Sequence, residues 1–133
     1  MKETKYTLLF LLFFLILLTS CQSSSATNKN PLKTSDTSPM IILFSDENSI
    51  DKEANYYDAL LEIQKNYRNE SLPFQFVYSN NKEAVEYFQI TSFPTLIILD
   101  TDETILLRLE KSHTKEEIVK KILAVSKNKK ESQ

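Results

Sequence analysis

Thiol chemistry in this 133-residue chain can come from one side chain only, because Cys21 is its single cysteine. A disulfide needs two sulfurs, so none can form within the chain. A Cys/His metal site needs neighbours that Cys21 and the single histidine, His113, cannot supply alone. His113 stands just before a predicted helix and reads as an exposed loop residue. Asp46, Glu47 and Asp51 could hold a hard cation between them. A helix is expected to start there, with Lys52 among the acids, so they read first as caps and as partners of the helix dipole. Ser49 lies in the same stretch, but a hydroxyl needs a base to become a nucleophile and the sequence offers none nearby. Capping the helix is its expected task. The chain contains no glycine, which removes the Gly-rich phosphate loop and the ordinary nucleophile elbow. No catalytic residue, metal ligand set or cofactor is therefore expected.

The elements that must carry these residues begin with an apolar run, Tyr6 to Leu18, preceded by Lys2 and Lys5 and followed by Thr19-Ser20-Cys21. That is the charged, apolar and small-residue order of a secretory signal peptide, and it is too short for a comfortable membrane span. Leu18-Thr19-Ser20-Cys21 resembles the lipobox of bacterial lipoproteins, in which the cysteine sulfur is diacylated and becomes the mature N-terminus. The resemblance implies that residues 1–20 are removed and that Cys21 carries a palmitate-type lipid anchor. Two acyl chains hold a protein stably on a bilayer where one holds it marginally, so the expected place is the outer face of the cytoplasmic membrane. The mature chain has 14 basic and 17 acidic residues, net charge −3. That balance argues against nucleic acid as a partner, which calls for a basic surface. A composition rich in Lys, Asn, Ile, Phe and Tyr suits an AT-rich genome and, with the lipobox, a Gram-positive cell envelope.

Gln22 to Pro39 reads QSSSATNKNPLKTSDTSP and is expected to be a flexible tether. Lys127 to Gln133 is expected to be a frayed polar tail. Between them, residues 40–126 alternate strand and helix patterns. Met40–Phe44 is a continuous apolar run and reads as a buried strand. Asn48 or Ser49 then caps a helix whose apolar positions are taken as Ile50, Ala54, Tyr57, Leu60, Leu61 and Tyr67. Asn66 or Asn69 is expected to end that helix in the left-handed conformation, since Asn and Asp best tolerate positive φ after glycine. Phe74 to Tyr78 forms the second strand. Asn80 with Glu83 opens a short helix as a capping box. Strands at Thr95–Leu99 and Thr104–Leu109 join across Asp100-Thr101-Asp102-Glu103 as a hairpin. The capping box Thr114-Lys115-Glu116-Glu117 starts a final helix with Ile118, Val119, Ile122 and Leu123 on one face. The order is βαβαββα, an α/β class that suits a four-stranded mixed sheet with helices on both faces.

The stretch Tyr87-Phe88-Gln89-Ile90-Thr91-Ser92-Phe93-Pro94-Thr95-Leu96-Ile97-Ile98-Leu99 resembles the thioredoxin segment that leads into the cis-proline and the following central strand. The resemblance spans about residues 40–126 and rests on the whole element order more than on Pro94-Thr95. It implies a thioredoxin-like fold with strand order 2-1-3-4 and a cis Phe93-Pro94 bond. In thioredoxins a Cys-x-x-Cys motif opens the helix after the first of these strands, where the helix N-terminus lowers a thiol pKa. Here the corresponding stretch is Ser45-Asp46-Glu47-Asn48-Ser49-Ile50-Asp51-Lys52, without sulfur. Disulfide exchange is not expected.

What remains is a membrane-anchored binding or scaffolding module for an envelope protein or extended peptide. Phe93, Pro94, Ser49 and Asp46 are its expected contact residues. The Phe93 ring is either an exposed anchor or part of the core. The alternatives are a structural peptidoglycan-associated lipoprotein, or an envelope enzyme working through carboxylates or a metal at Asp46, Glu47 and Asp51. Thioredoxins usually cover the outer edge of the second strand with a further strand, for which this chain offers only the tether. That edge is expected to be open to a partner or a second copy unless the tether near Leu32 covers it.

Overall fold

The computed structural model describes residues 4–6, 29–36 and 38–131. Most of the expected signal peptide, Cys21, residues 22–28 of the expected tether and residues 132–133 lie outside the described residues.

Strand β1, Met40–Ser45, is buried at all six positions, as a continuous apolar run requires when both faces of the sheet are covered. It is flanked by β2, Phe74–Tyr78, in parallel and by β3, Thr95–Leu99, in antiparallel. Strand β4, Ile105–Glu110, pairs antiparallel with β3 and completes a sheet of order β2-β1-β3-β4, the expected one.

Alternate residues of the central strands feed two cores, because successive side chains of a strand point to opposite faces. On one face Ile41, Leu43, Leu96 and Ile98 pack against Tyr56, Leu60 and Ile63 of helix α1, Ile50–Asn66, and Ile118 and Ile122 of helix α3, Lys115–Glu131. On the other, Ile42, Phe44, Val77 and Ile97 meet Ala84 of helix α2, Lys82–Tyr87, and Phe88 just beyond it. Leu32 joins this second core, so this part of the expected tether is packed on the domain.

The phase of α1 differs from the expected one. Its buried positions are Glu53, Tyr56, Ala59, Leu60 and Ile63, whereas Ile50 and Leu61 are 61% exposed and Ala54 and Tyr67 also face solvent. Tyr56, Ala59, Leu60 and Ile63 form the full i, i+3, i+4, i+7 stripe. Glu53 continues it one turn earlier, and a stripe sought among apolar residues alone skips that position.

The helix ends also depart from expectation. Ser49 makes no side-chain cap bond, and Asp46 instead caps a short 3-10 turn at Glu47–Ser49 by accepting from the Asn48 N–H at 2.8 Å. Helix α2 is capped by Asn81, one residue after the expected Asn80, through the Ala84 N–H at 3.2 Å. The capping box of α3 is present as expected. Glu117 N–H donates to Thr114 Oγ1 at 3.3 Å, and Thr114 N–H donates to Glu117 Oε2 at 3.1 Å. That helix continues to Glu131, through residues expected to fray. Among the described residues positive φ falls on Gln89, Glu103 and Lys111 and not on Asn or Asp. Tyr67, not Asn66 or Asn69, follows α1, with φ −129. At Gln89 and Lys111 the backbone N–H groups bond Glu86 and Pro94 carbonyls, so the hydrogen-bonded path of the chain overrides side-chain preference.

Candidate functional site at the carboxyl end of the first strand

The sheet register brings the expected site residues to one end of the domain. Phe44 of β1 pairs with Thr95 of β3 and Ser45 pairs with Tyr78 of β2. Asp46 and Ser49, which follow β1, and Phe93 and Pro94, which precede β3, therefore stand at the same end. The Phe93-Pro94 peptide bond is cis. The loop is fastened on both sides, with Thr95 Oγ1 donating to the Ser92 carbonyl at 2.7 Å and Lys111 N–H donating to the Pro94 carbonyl at 3.1 Å. Pro94 is buried and Phe93 is half-buried, packed against the second core, so its ring serves partly as core.

Behind the start of α1 sits a polar cluster that the sequence reading did not single out. The Glu53 side chain is fully buried and receives three donors: Ser45 Oγ at 2.6 Å, Asp46 N–H at 2.9 Å and Tyr57 Oη at 3.1 Å. Burial pushes the Tyr57 phenol pKa up, against the Ser45 contact, with Glu53 adding to the rise. A buried carboxyl needs such partners, and here both oxygens have them. Because Ser45 is 2% exposed, its hydroxyl is sealed from any substrate, and the Ser45–Glu53 pair is a lock between strand and helix. The available signal was a glutamate in the first turn on the same helical stripe as Tyr56 and Ala59.

Asp46 faces outward from this lock. The Ser79 side chain and the Asn48 backbone N–H hold its carboxyl below the usual carboxylate range. Among the described residues no group of three His, Cys, Asp or Glu side chains could hold a metal ion, so Asp46, Glu47 and Asp51 do not converge as a cation site would need. His113 departs from the exposed loop residue expected of it. It is half-buried, lies edge-on to Tyr56 with ring centroids 6.5 Å apart and stands 3.5 Å from Glu117.

No family model matches the chain. Over 114 residues it is 36% identical to the Pal-related lipoprotein of Bacillus subtilis strain 168, covering 83% of this chain and 87% of that protein. The chain belongs to the family of that lipoprotein. Among solved structures, this member of the Pal-related lipoprotein family is similar to thioredoxin-2, a component of the malaria parasite protein secretion machinery, with TM-score 0.52 and 21% identity over 63% of this chain and 80% of that one. A further malarial protein is similar at TM-score 0.49 and 20% identity, over 68% of this chain and 94% of that one. The Pal-related family member is thus a lipoprotein with a thioredoxin-like domain, and the fold expected from Phe93-Pro94-Thr95 and the element order is the one observed.

Proposed function

We propose that this lipoprotein is held at the outer face of the cytoplasmic membrane by a diacylated Cys21 and acts there as a redox-inactive binding module for an extended segment of an envelope protein. One observation carries the reading. The end of the sheet that would hold reactive sulfur presents apolar side chains beside the Phe93-Pro94 loop, and of its carboxyl groups Glu53 is sealed inside. Ile50, in the stretch Ser49-Ile50-Asp51-Lys52, is 61% exposed, and Tyr78, at the same end of β2, is 53% exposed. Phe93 lies half-buried at that end. Exposed aromatic and aliphatic groups at a sheet end suit an extended peptide, which takes pockets for alternate side chains. Glu53 and Ser45 satisfy each other out of reach of solvent and support no hydrolytic role.

A photoreactive amino acid replacing Ile50 in cells tests the binding role. The expected outcome is a discrete crosslinked envelope protein that is missing when the same group replaces an exposed residue such as Gln64 on the far part of α1. Equal crosslinking from both positions overturns the reading. An insulin-reduction assay on the purified protein is expected to show no turnover, and turnover above a thiol-free control would overturn redox inactivity.

A further inference from the structure

Strand β2 is a margin of the sheet and pairs with β1 alone. The ladder to β1 is framed by Ile41 N–H donating to the Pro73 carbonyl at 2.8 Å and Ser79 N–H donating to the Ser45 carbonyl at 2.9 Å. Backbone groups of successive strand residues point to alternate sides, so the N–H and C=O of Phe74, Phe76 and Tyr78 point away from β1. Among the described residues these groups take one bond, from Asn81 N–H to the Tyr78 carbonyl. No described residue before β1 adds a strand there, and Leu32 packs in the core that holds Val77.

The two margins of the sheet differ in what protects them. Strand β4 carries Arg108 and Glu110, 3.7 Å apart, and its pairing with β3 shifts register between Ile98 and Leu99. Charges and bulges of this kind discourage pairing with another chain. Strand β2 reads Phe-Gln-Phe-Val-Tyr and has no charge. Beside it, α1 carries a second apolar stripe, Ile50, Ala54, Tyr57 and Leu61, at i, i+4, i+7 and i+11. Tyr57 packs on Phe76 with ring centroids 5.3 Å apart, and Phe76 meets Phe74 edge-on at 5.4 Å, so this stripe lies on the β2 side of the helix. Ile50, Ala54 and Leu61 are exposed.

We infer that β2 pairs antiparallel with β2 of a second copy of this chain, about a two-fold axis at Phe76, and joins the two four-stranded sheets into one. In that register Phe76 meets Phe76 of the second copy and Phe74 meets its Tyr78, and every residue of these pairs has its backbone groups turned toward the other strand. Cross-strand aromatic pairs stabilise such a ladder. The contact is self-complementary, as a two-fold interface must be. An axis normal to the sheet leaves both α1 helices on one face and running in opposite directions. The end with Asp46, Glu47 and Asp51, and Lys52 among them, then lies beside Lys65 and Arg68 of the second copy. The acidic groups near that basic end are Glu62, held by Lys115 at 2.9 Å, and half-buried Glu70. Asp58 stands on the α3 side of the helix, close enough to act on Lys115. Opposite charges so placed fix the antiparallel register. Each Ile50–Tyr78 end also gains Leu61 and Phe74 of the second copy, which goes beyond the binding role proposed above and does not rest on it.

The test uses the chain from residue 21 onward with Cys21→Ser, so that neither lipid nor a native thiol joins two copies. Sedimentation is expected to show a monomer–dimer equilibrium, with at least half of the protein dimeric at about 100 µM. Tyr78→Lys changes an exposed side chain and should return the protein to monomer with its Tm kept, whereas Ile105→Lys on the β4 margin should leave the dimer intact. Lys65→Glu should weaken association severalfold, and adding Asp51→Lys should restore it. The register is read by oxidising single-cysteine variants. Facing residues of a hydrogen-bonded antiparallel pair have Cα atoms about 5.5 Å apart, within the reach of a disulfide. A mixture of Phe74→Cys and Tyr78→Cys should therefore join copies at least about fivefold more than either variant alone, and this result decides the matter should Tyr78→Lys lower Tm. A protein that stays monomeric, a dimer that Ile105→Lys dissociates and Tyr78→Lys does not, or equal joining in the mixture and in the single variants overturns the inference and leaves the proposed binding role standing.

Discussion

Ser45 and Glu53 are eight residues apart in sequence and joined by a 2.6 Å hydrogen bond from hydroxyl to carboxyl. The bond fixes the first turn of α1 to the last residue of β1. It lies directly behind the stretch where thioredoxins carry reactive sulfur, and it ties that end of the sheet to the helix. Asp46 N–H and Tyr57 Oη complete the shell of donors around Glu53.

Removing the acceptor should therefore cost stability first. Glu53→Ala leaves a buried hydroxyl, a backbone N–H and a phenol without their partner, each lost partner worth about 1 kcal/mol or more. We expect Glu53→Ala to destabilise the domain by about 2–4 kcal/mol in urea unfolding. Glu53→Gln keeps one acceptor oxygen and should cost less. A change of under about 0.5 kcal/mol in Glu53→Ala would show that water replaces the lock.

Asp46 and Glu117 give the acid limb of stability its direction. The Ser79 side chain lowers the Asp46 pKa from 3.8 and the Thr114 backbone N–H lowers the Glu117 pKa from 4.5. In both, the folded carboxyl holds its charge at a pH where the unfolded one has taken up a proton. The unfolded state then binds more protons, so stability rises with pH through that window and is lost as pH falls through the lowered folded values. The urea midpoint of the wild type should drop between pH 5 and pH 3 by more than that of Asp46→Asn. Parallel lines would remove Asp46 from the account.

Tyr56 sets the alkaline side. Burial pushes its phenol up to about 12 from 10.0, because the neutral form is the one that fits the core. Here the folded state holds the proton longer, so the contribution is complete below pH 10 and is lost as pH rises toward 12. Tyr56→Phe should remove that slope. It should also cost about 1 kcal/mol at neutral pH, since the Lys111 carbonyl loses its donor.

Lys111 holds φ 66 in a chain without glycine, and its side chain is exposed. Its backbone contacts to Pro94 and Tyr56 need no side chain. Lys111→Gly relieves the left-handed penalty of about 1–2 kcal/mol, offset in part by the greater freedom of glycine when unfolded. We expect a net gain of about 0.5–1 kcal/mol and a rise of a few degrees in Tm. A fall in Tm would mean that the lysine side chain contributes more than the backbone strain costs.

The sequence made the strands legible because Met40–Phe44 and Thr95–Leu99 are continuous apolar runs, and nothing but a buried strand fits such short ones between turn residues. The cis-proline loop was legible only through the thioredoxin resemblance of Phe93-Pro94-Thr95. The face of α1 was not, because its stripe contains Glu53, whose burial depends on donors brought from Ser45 and Tyr57 by tertiary structure. The same holds for the positive-φ positions, which follow from where the chain must turn after α2 at Gln89, between β3 and β4 at Glu103 and between β4 and α3 at Lys111, and not from local preference. Leu32 was read as tether because its neighbours are polar, yet one apolar side chain suffices to pin a segment when a core has room for it.

The sharpest consequence concerns the missing sulfur itself. If redox inactivity rests on Ser49 and Lys52 alone, restoring both sulfurs should restore activity, since the Pro94 loop, fastened by the Thr95–Ser92 and Lys111–Pro94 hydrogen bonds, and the start of α1 remain in place. A disulfide bridges residues whose Cα atoms lie about 4.4–6.8 Å apart, a separation that residues three apart at a helix start can meet. The double variant Ser49→Cys, Lys52→Cys should therefore form an internal disulfide and reduce insulin with dithiothreitol, where the wild type does not. Two opposing effects set its rate. The helix N-terminus lowers the pKa of a thiol at position 49, while Asp46, Glu47 and Asp51 raise it by repelling the thiolate. The rate should accordingly increase further when Asp51→Asn is added. A double variant that forms the disulfide yet leaves insulin unreduced would show that the apolar surface around Ile50 and Phe93, and not the loss of sulfur, separates this domain from a reductase.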